Sequence, residues 1–217
     1  YPLKLSKDGG QTWQSIQLPQ INYLAYYAIK AGNDFLVSSS GGGVYRVTVS
    51  SATVETADNG LKAVPVNAVV KTSSGNVFAA TRYSYINEST DNCSSWSYPS
   101  LYNSTGVNNV FYNGTVMGFG FDAGGYVSSL DNGTSIQNHT SGYYSSVFED
   151  FAVVPGTSTV YACTGLSNYH PFLKSTNYGV SFDSIAPFGF YMVAAGPTKL
   201  FASDYTGIAE GHGDTAF

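Results

Sequence analysis

Two adjacent carboxylates, Glu149 and Asp150, stand immediately before the apolar run Phe151–Pro155. Paired carboxylates are what acid and base work on a glycosidic bond requires, one to protonate the leaving oxygen and one to activate water or attack. Asp34, Asp122 and Asp204 sit at comparable strand ends. Acidic residues at loop ends also cap turns and solvate surfaces. No residue is therefore assigned a catalytic role, and Glu149 and Asp150 are kept as candidates. His139, His170 and His212 are dispersed and show neither i, i+4 nor paired-cysteine spacing, so no metal and no cofactor is expected. Gly41-Gly42-Gly43 falls between strand-like runs and reads as a turn, not a phosphate cradle.

The elements that would position such groups are announced by a repeat. Ser6-Lys7-Asp8-Gly9-Gly10-Gln11-Thr12-Trp13 is echoed by Thr56–Gly60, by Ser89–Trp96 around Asp91, by Ser129–Ile136 around Asp131 and by Ser175–Phe182 around Asn177. A faint sixth copy covers Glu210–Phe217. The interval is roughly 40 residues, which in a strand-rich chain marks a propeller blade. An Asp or Asn side chain at such a turn accepts hydrogen bonds from backbone N–H groups that the turn strips from the ladder. Gly10, Gly60, Gly133 and Gly179 fall where a positive φ is needed. Trp13, Trp96 and Phe182 close their copies and are expected to begin the next strand and bury against the sheet beneath.

The first octet fits S-x-D-x-G-x-T-W, and on these residues the chain resembles the Asp-box (BNR-repeat) β-propellers. That resemblance implies a turn between the third and fourth strands of each blade, at the outer rim, with Ser6, Asp8, Gly10, Trp13, Asp58, Gly60, Asp91, Trp96, Asp131, Gly133, Asn177, Gly179 and Phe182 in structural roles. It implies that Glu149 and Asp150 precede an innermost strand and face a channel mouth. Sialidases of this family hold the substrate carboxylate with three arginines. This chain has Arg46 and Arg82 alone and no evident Tyr–Glu nucleophile pair, so it departs from the sialidase pattern.

Short alternating runs separated by Gly, Asn and Ser turns predict the blades. The first full unit reads Tyr23–Lys30, Asp34–Ser39, Gly43–Val49 and Lys62–Val66, and three further units follow. The expectation is one all-β domain over residues 1–217, a propeller of five four-stranded blades. Residues 1–18 would close the fifth with 188–206, and 207–217 would be a tail or an extra strand. Both ends then offer a third strand for one place, which makes self-assembly through terminal strands, a filament or a tandem array a further expectation.

Composition bounds the partners. Only 11% of the 217 residues are charged, the net charge is −5, and Gly (24) and Tyr (18) are abundant. Nine scattered basic residues speak against nucleic acid, and no apolar run suits a membrane span. Six Asn-x-Ser/Thr sequons, at Asn87, Asn92, Asn103, Asn113, Asn132 and Asn138, point to N-glycosylation and a secreted or cell-surface location. The chain begins at Tyr1 without Met, as a processed or excised piece would. Cys93, on a rim turn, is expected to be free or to bridge to another chain, and Cys163 to be a core residue. Tyr23, Tyr26, Tyr27, Tyr83, Tyr85, Tyr143, Tyr144 and Tyr169 gather near loops or strand ends, and such rings suit sugars and proteins alike. The reading is a non-enzymatic extracellular module that binds glycans or proteins or builds a surface structure; the alternative is a glycoside hydrolase with a carboxylate pair.

Overall fold

A computed structural model describes residues 3–19, 24–61, 65–82, 86–98, 106–121, 125–139, 147–165, 171–187 and 189–211. The chain divides into two compact units, Tyr1–Asn103 and Ser104–Phe217. Every described regular element is a strand, and every pairing is antiparallel between neighbours in sequence.

In the first unit, β1 (Leu3–Leu5) pairs with β2 (Gln14–Ile16) as a two-stranded sheet. A four-stranded sheet follows in the order β3 (Ala25–Ala31), β4 (Asp34–Ser39), β5 (Val44–Thr48), β6 (Thr53–Thr56). A three-stranded sheet of β7 (Val66–Lys71), β8 (Val77–Thr81) and β9 (Ile86–Ser89) completes the unit, extended by a single bridge between Glu88 and Ser97.

The second unit carries β10 (Val107–Tyr112), β11 (Met117–Phe121), β12 (Tyr126–Ser129) and β13 (Gln137–Asn138) in one sheet. The next holds β14 (Asp150–Val153), β15 (Val160–Cys163), β16 (Phe172–Ser175) and β17 (Asp183–Ala186). The last is β18 (Met192–Ala195), β19 (Leu200–Ser203) and β20 (Ile208–Gly211), so part of the 207–217 segment is a strand paired to β19.

Within each unit the sheets stack face on face, and in three of them the second strand is covered on both sides. β8, β11 and β15 are buried at every residue. Such strands read as continuous apolar or small-residue runs instead of alternating ones. Close stacking of aromatic rings demands small partners. A Cβ at Gly118 would lie 2.2 Å from Phe111 Cε1, and one at Gly120 would lie 2.3 Å from Phe148 Cβ. Those glycines make room for Phe111, Tyr126, Phe148 and Phe151, which with Phe182 form the aromatic heart of the second unit.

One repeat is misplaced by the sequence reading. The expected fourth strand Lys62–Val66 does not form as such: the fourth strand is β6, residues 62–64 lie outside the described residues, and Val66 opens β7. The turn from β5 to β6 is Val49–Ala52, with Ala52 at φ 57°. Asp58 and Gly60 therefore follow the fourth strand and do not close a third-to-fourth turn. Their segment instead receives the next sheet: the Trp96 indole N–H donates to Ala57 O at 2.7 Å, and the Trp96 backbone N–H donates to Asn59 O at 2.8 Å. Gly60, at φ 79°, lies so close that a Cβ would meet Trp96 O at 2.7 Å. The glycine is required by that approach.

Both cysteines are buried and unpaired by disulfide. Cys93 is 1% exposed, and burial pushes its thiol up to about 11. A neutral, enclosed thiol is neither nucleophilic nor within reach of a second chain, which corrects the expectation of an intermolecular link. Burial likewise pushes the Cys163 thiol up.

Candidate functional site

Four of the five repeated turns share one hydrogen-bond pattern. In the first, Ser6 Oγ donates to Asp8 Oδ1 at 2.8 Å and accepts from Gly10 N at 2.7 Å. Thr12 N donates to the same Oδ1 at 2.9 Å, and Thr12 Oγ1 donates to Oδ2 at 2.5 Å. Ser89, Asp91, Cys93 and Ser95 repeat every one of these bonds, as do Ser129, Asp131, Gly133 and Ser135. In the last copy Asn177 Oδ1 accepts from Ser175 Oγ and Ser181 N, while Asn177 Nδ2 donates to Ser181 Oγ at 2.8 Å. The hydroxyl proton turns round and the geometry survives. Trp96 and Phe182 are buried beyond their turns, whereas Trp13 is 61% exposed and its indole donates to Gly10 O in its own turn.

The hydrogen bonds of these turns lower the pKa of their carboxyl groups. The Thr12 hydroxyl and N–H hold the Asp8 carboxyl down at about 2, and Ser95 does the same for Asp91. Ser135 lowers Asp131. A carboxyl whose folded pKa is depressed stabilises the fold above its unfolded value near 3.8, and that stabilisation is lost as pH falls toward 2. Replacing Asp8, Asp91 and Asp131 together by Asn, the arrangement already present at Asn177, is expected to lower the melting temperature near neutral pH. The mutant and parent curves should converge at about pH 2. Parallel curves from pH 7 to 2 would place the acid sensitivity elsewhere.

The candidate pair Glu149 and Asp150 divides. Asp150 is 7% exposed at the start of β14, with both oxygens engaged: Oδ1 accepts from Asn109 Nδ2 at 2.8 Å and Oδ2 from Val193 N at 2.9 Å. Asn109 is itself buried, donates also to Glu149 O at 3.2 Å and accepts from Val110 N at 2.7 Å. This chain of bonds ties β10, β14 and β18 together, so Asp150 is a clamp between sheets. Glu149 is half-buried. The hydrogen bond to Tyr205, with burial and smaller contributions from the Tyr205 and Glu149 charges, pushes the Tyr191 phenol up to about 12.

Tyr191 and Tyr205 were not singled out by the sequence. Their rings meet edge to face at 4.5 Å between centroids, and the Tyr191 hydroxyl donates to that of Tyr205. Tyr205 is 82% exposed on the β19–β20 turn. Asp204 fixes that turn: its Oδ1 accepts from Thr206 N at 2.7 Å, Thr206 Oγ1 at 2.6 Å and Gly207 N at 3.1 Å. The available signal was the Asp204-Tyr205-Thr206-Gly207 turn pattern itself.

Elsewhere, Arg46 pairs with Glu55 and donates to the Asn92 carbonyl, Arg82 is exposed, and Asp34 Oδ1 accepts from Val49 N at 3.3 Å. His139 is partly buried against Tyr126 and hydrogen-bonded to Ser128, and burial lowers its pKa. Among the described residues no cluster of His, Cys, Asp or Glu could hold a metal ion. Asp122, His170, His212, Tyr23, Tyr83, Tyr85, Tyr143, Tyr144, Tyr169 and Asn103 lie outside the described residues. Of the other sequons, Asn87 is 0% exposed within β9, which leaves no room for a glycan. Asn92 and Asn138 are exposed, and Asn113 and Asn132 are partly exposed.

No family model and no curated sequence matches the chain. Solved structures do. The structure of YCF48 bound to D1 peptide is 17% identical at a TM-score of 0.70, over 96% of this chain and 70% of that one. The chain shares the fold of β-propeller-type proteins. The extracellular domain of the hybrid two-component system BT3049 from B. thetaiotaomicron gives a TM-score of 0.73 at 11% identity, over 97% of this chain. The Niastella koreensis GH74 enzyme gives 0.68 at 16% identity, over 100% of this chain. The present chain spans 31% and 35% of those two structures.

Proposed function

We propose that this propeller-type chain is a non-enzymatic extracellular binding module for glycans or proteins, with five four-stranded blades and Asp-box turns at its rim. The observation that carries the reading is Asp150. A carboxylate buried between two fixed donors serves the sheets and is not placed to exchange a proton with a substrate. The similar structures supply context: one is a complex with a peptide and another the extracellular domain of a hybrid two-component system. N-linked sugar, where present, would sit on Asn92, Asn103, Asn113, Asn132 or Asn138. The rival reading is glycoside hydrolysis through Glu149, favoured by the likeness to a GH74 enzyme. A panel of chromogenic glycosides and soluble polysaccharides separates the two. The expected result is retention of a ligand without turnover. Turnover that disappears in Glu149→Gln would overturn the proposal.

A further inference from the structure

The Tyr191–Tyr205 corner is held in place by an edge-to-face ring contact and a hydroxyl hydrogen bond. Tyr205 projects into solvent, yet its turn is fixed by three hydrogen bonds to Asp204 and its hydroxyl is braced by Tyr191. A rigid, exposed phenol loses little conformational entropy on binding, which is how tyrosine earns its place in binding surfaces. Beside the turn lies an open cavity of about 180 Å³, lined by Phe190, Asp204, Thr206 and Ile208 among others.

We propose that Tyr205 and Tyr191, with the cavity beside Asp204, form a binding site for neutral saccharide chains. A sugar ring offers a C–H face to stack on a phenol ring and a fringe of hydroxyl donors for carboxylate, threonyl and phenolic oxygens. Negative charge at Asp204 disfavours uronic or sialic acids. An extended peptide fits less well. Its main chain would need open backbone donors, but Tyr191 N already donates to Ser203 O, Asp204 N to Gly207 O, and Thr206 N and Gly207 N to Asp204.

This site rests on the binding-module reading, and the test separates the two. Retention of the full chain is measured in affinity gels and by calorimetry with cellohexaose, xylohexaose, mannohexaose and maltohexaose, with polygalacturonate as the acidic comparator. At least one neutral hexaose should bind and the polygalacturonate should not. Tyr205→Ala should weaken binding about tenfold or more, and Tyr191→Phe by a smaller factor, with unchanged melting temperature. Binding that survives Tyr205→Ala would overturn the site and leave the module reading standing. No binding of any hexaose would overturn the saccharide proposal outright. Peptide capture in its place would leave the protein half of the module reading.

Discussion

Asp150→Ala is expected to destabilise the second unit by about 2–5 kcal/mol, because it strips the acceptor from two buried donors at once. Asn109 Nδ2 and Val193 N are both enclosed and both aim at this carboxylate. An alanine methyl fills neither place, and a water would need room that a strand start between stacked sheets does not offer. Asp150→Asn should also be destabilising, since one of its two atoms becomes a donor facing a donor. Chemical unfolding monitored by aromatic fluorescence measures the loss. A cost below about 0.5 kcal/mol would mean that the clamp is dispensable. The same variant bears on function: if ligand retention persists in the folded fraction, Asp150 has no part in binding.

Gly120→Ala is expected to cost about 3 kcal/mol or more, at or beyond the upper end of ordinary overpacking. The added methyl would sit 2.3 Å from Phe148 Cβ and 3.2 Å from Phe148 O. Neither atom is the free end of a side chain, so the backbone of the 147–149 segment would have to retreat. Gly118→Ala collides instead with ring edges, at Phe111 Cε1 and Tyr126 Oη. Phe111→Leu beside Gly118→Ala should recover part of the loss, whereas no single side-chain change should rescue Gly120→Ala. Melting of the single and double variants checks this. Equal costs at both positions without rescue would show that ring packing is not the constraint.

The repeated turns were legible because their chemistry is local. Ser, Asp or Asn, Gly and a second hydroxyl at fixed offsets make four hydrogen bonds whatever surrounds them. The copy at Thr56–Gly60 misled for the same reason. It shares Asp-Asn-Gly with the copy at Asp131 but has Lys62 where the other copies have Ser or Thr, and its segment receives Trp96 from the next sheet. The turn that does join β5 to β6 contains no acid, so nothing in its residues advertised it. Asp150 shows the opposite limit. An acid before a strand is visible in the sequence, but the partners that decide its role, Asn109 and Val193, lie about 40 residues away on either side. Tyr205 was hidden among 18 tyrosines, and its exposure, its contact with Tyr191 and the hydrogen bonds of Asp204 distinguish it.

Burial that falls off from the second strand to the fourth orders the motions of the molecule. β15 and β11 are enclosed at every residue, while β13 is exposed at both of its residues and β6 at three of its four. Backbone amides in the outer strands can therefore open to water without disturbing the stack, and those of β11 and β15 only when a whole sheet parts from its neighbours. Amide exchange would then advance through each sheet from its outermost strand. The four hydrogen-bonded turns stand at the outer end of that gradient, where they act as latches against the first step of unravelling.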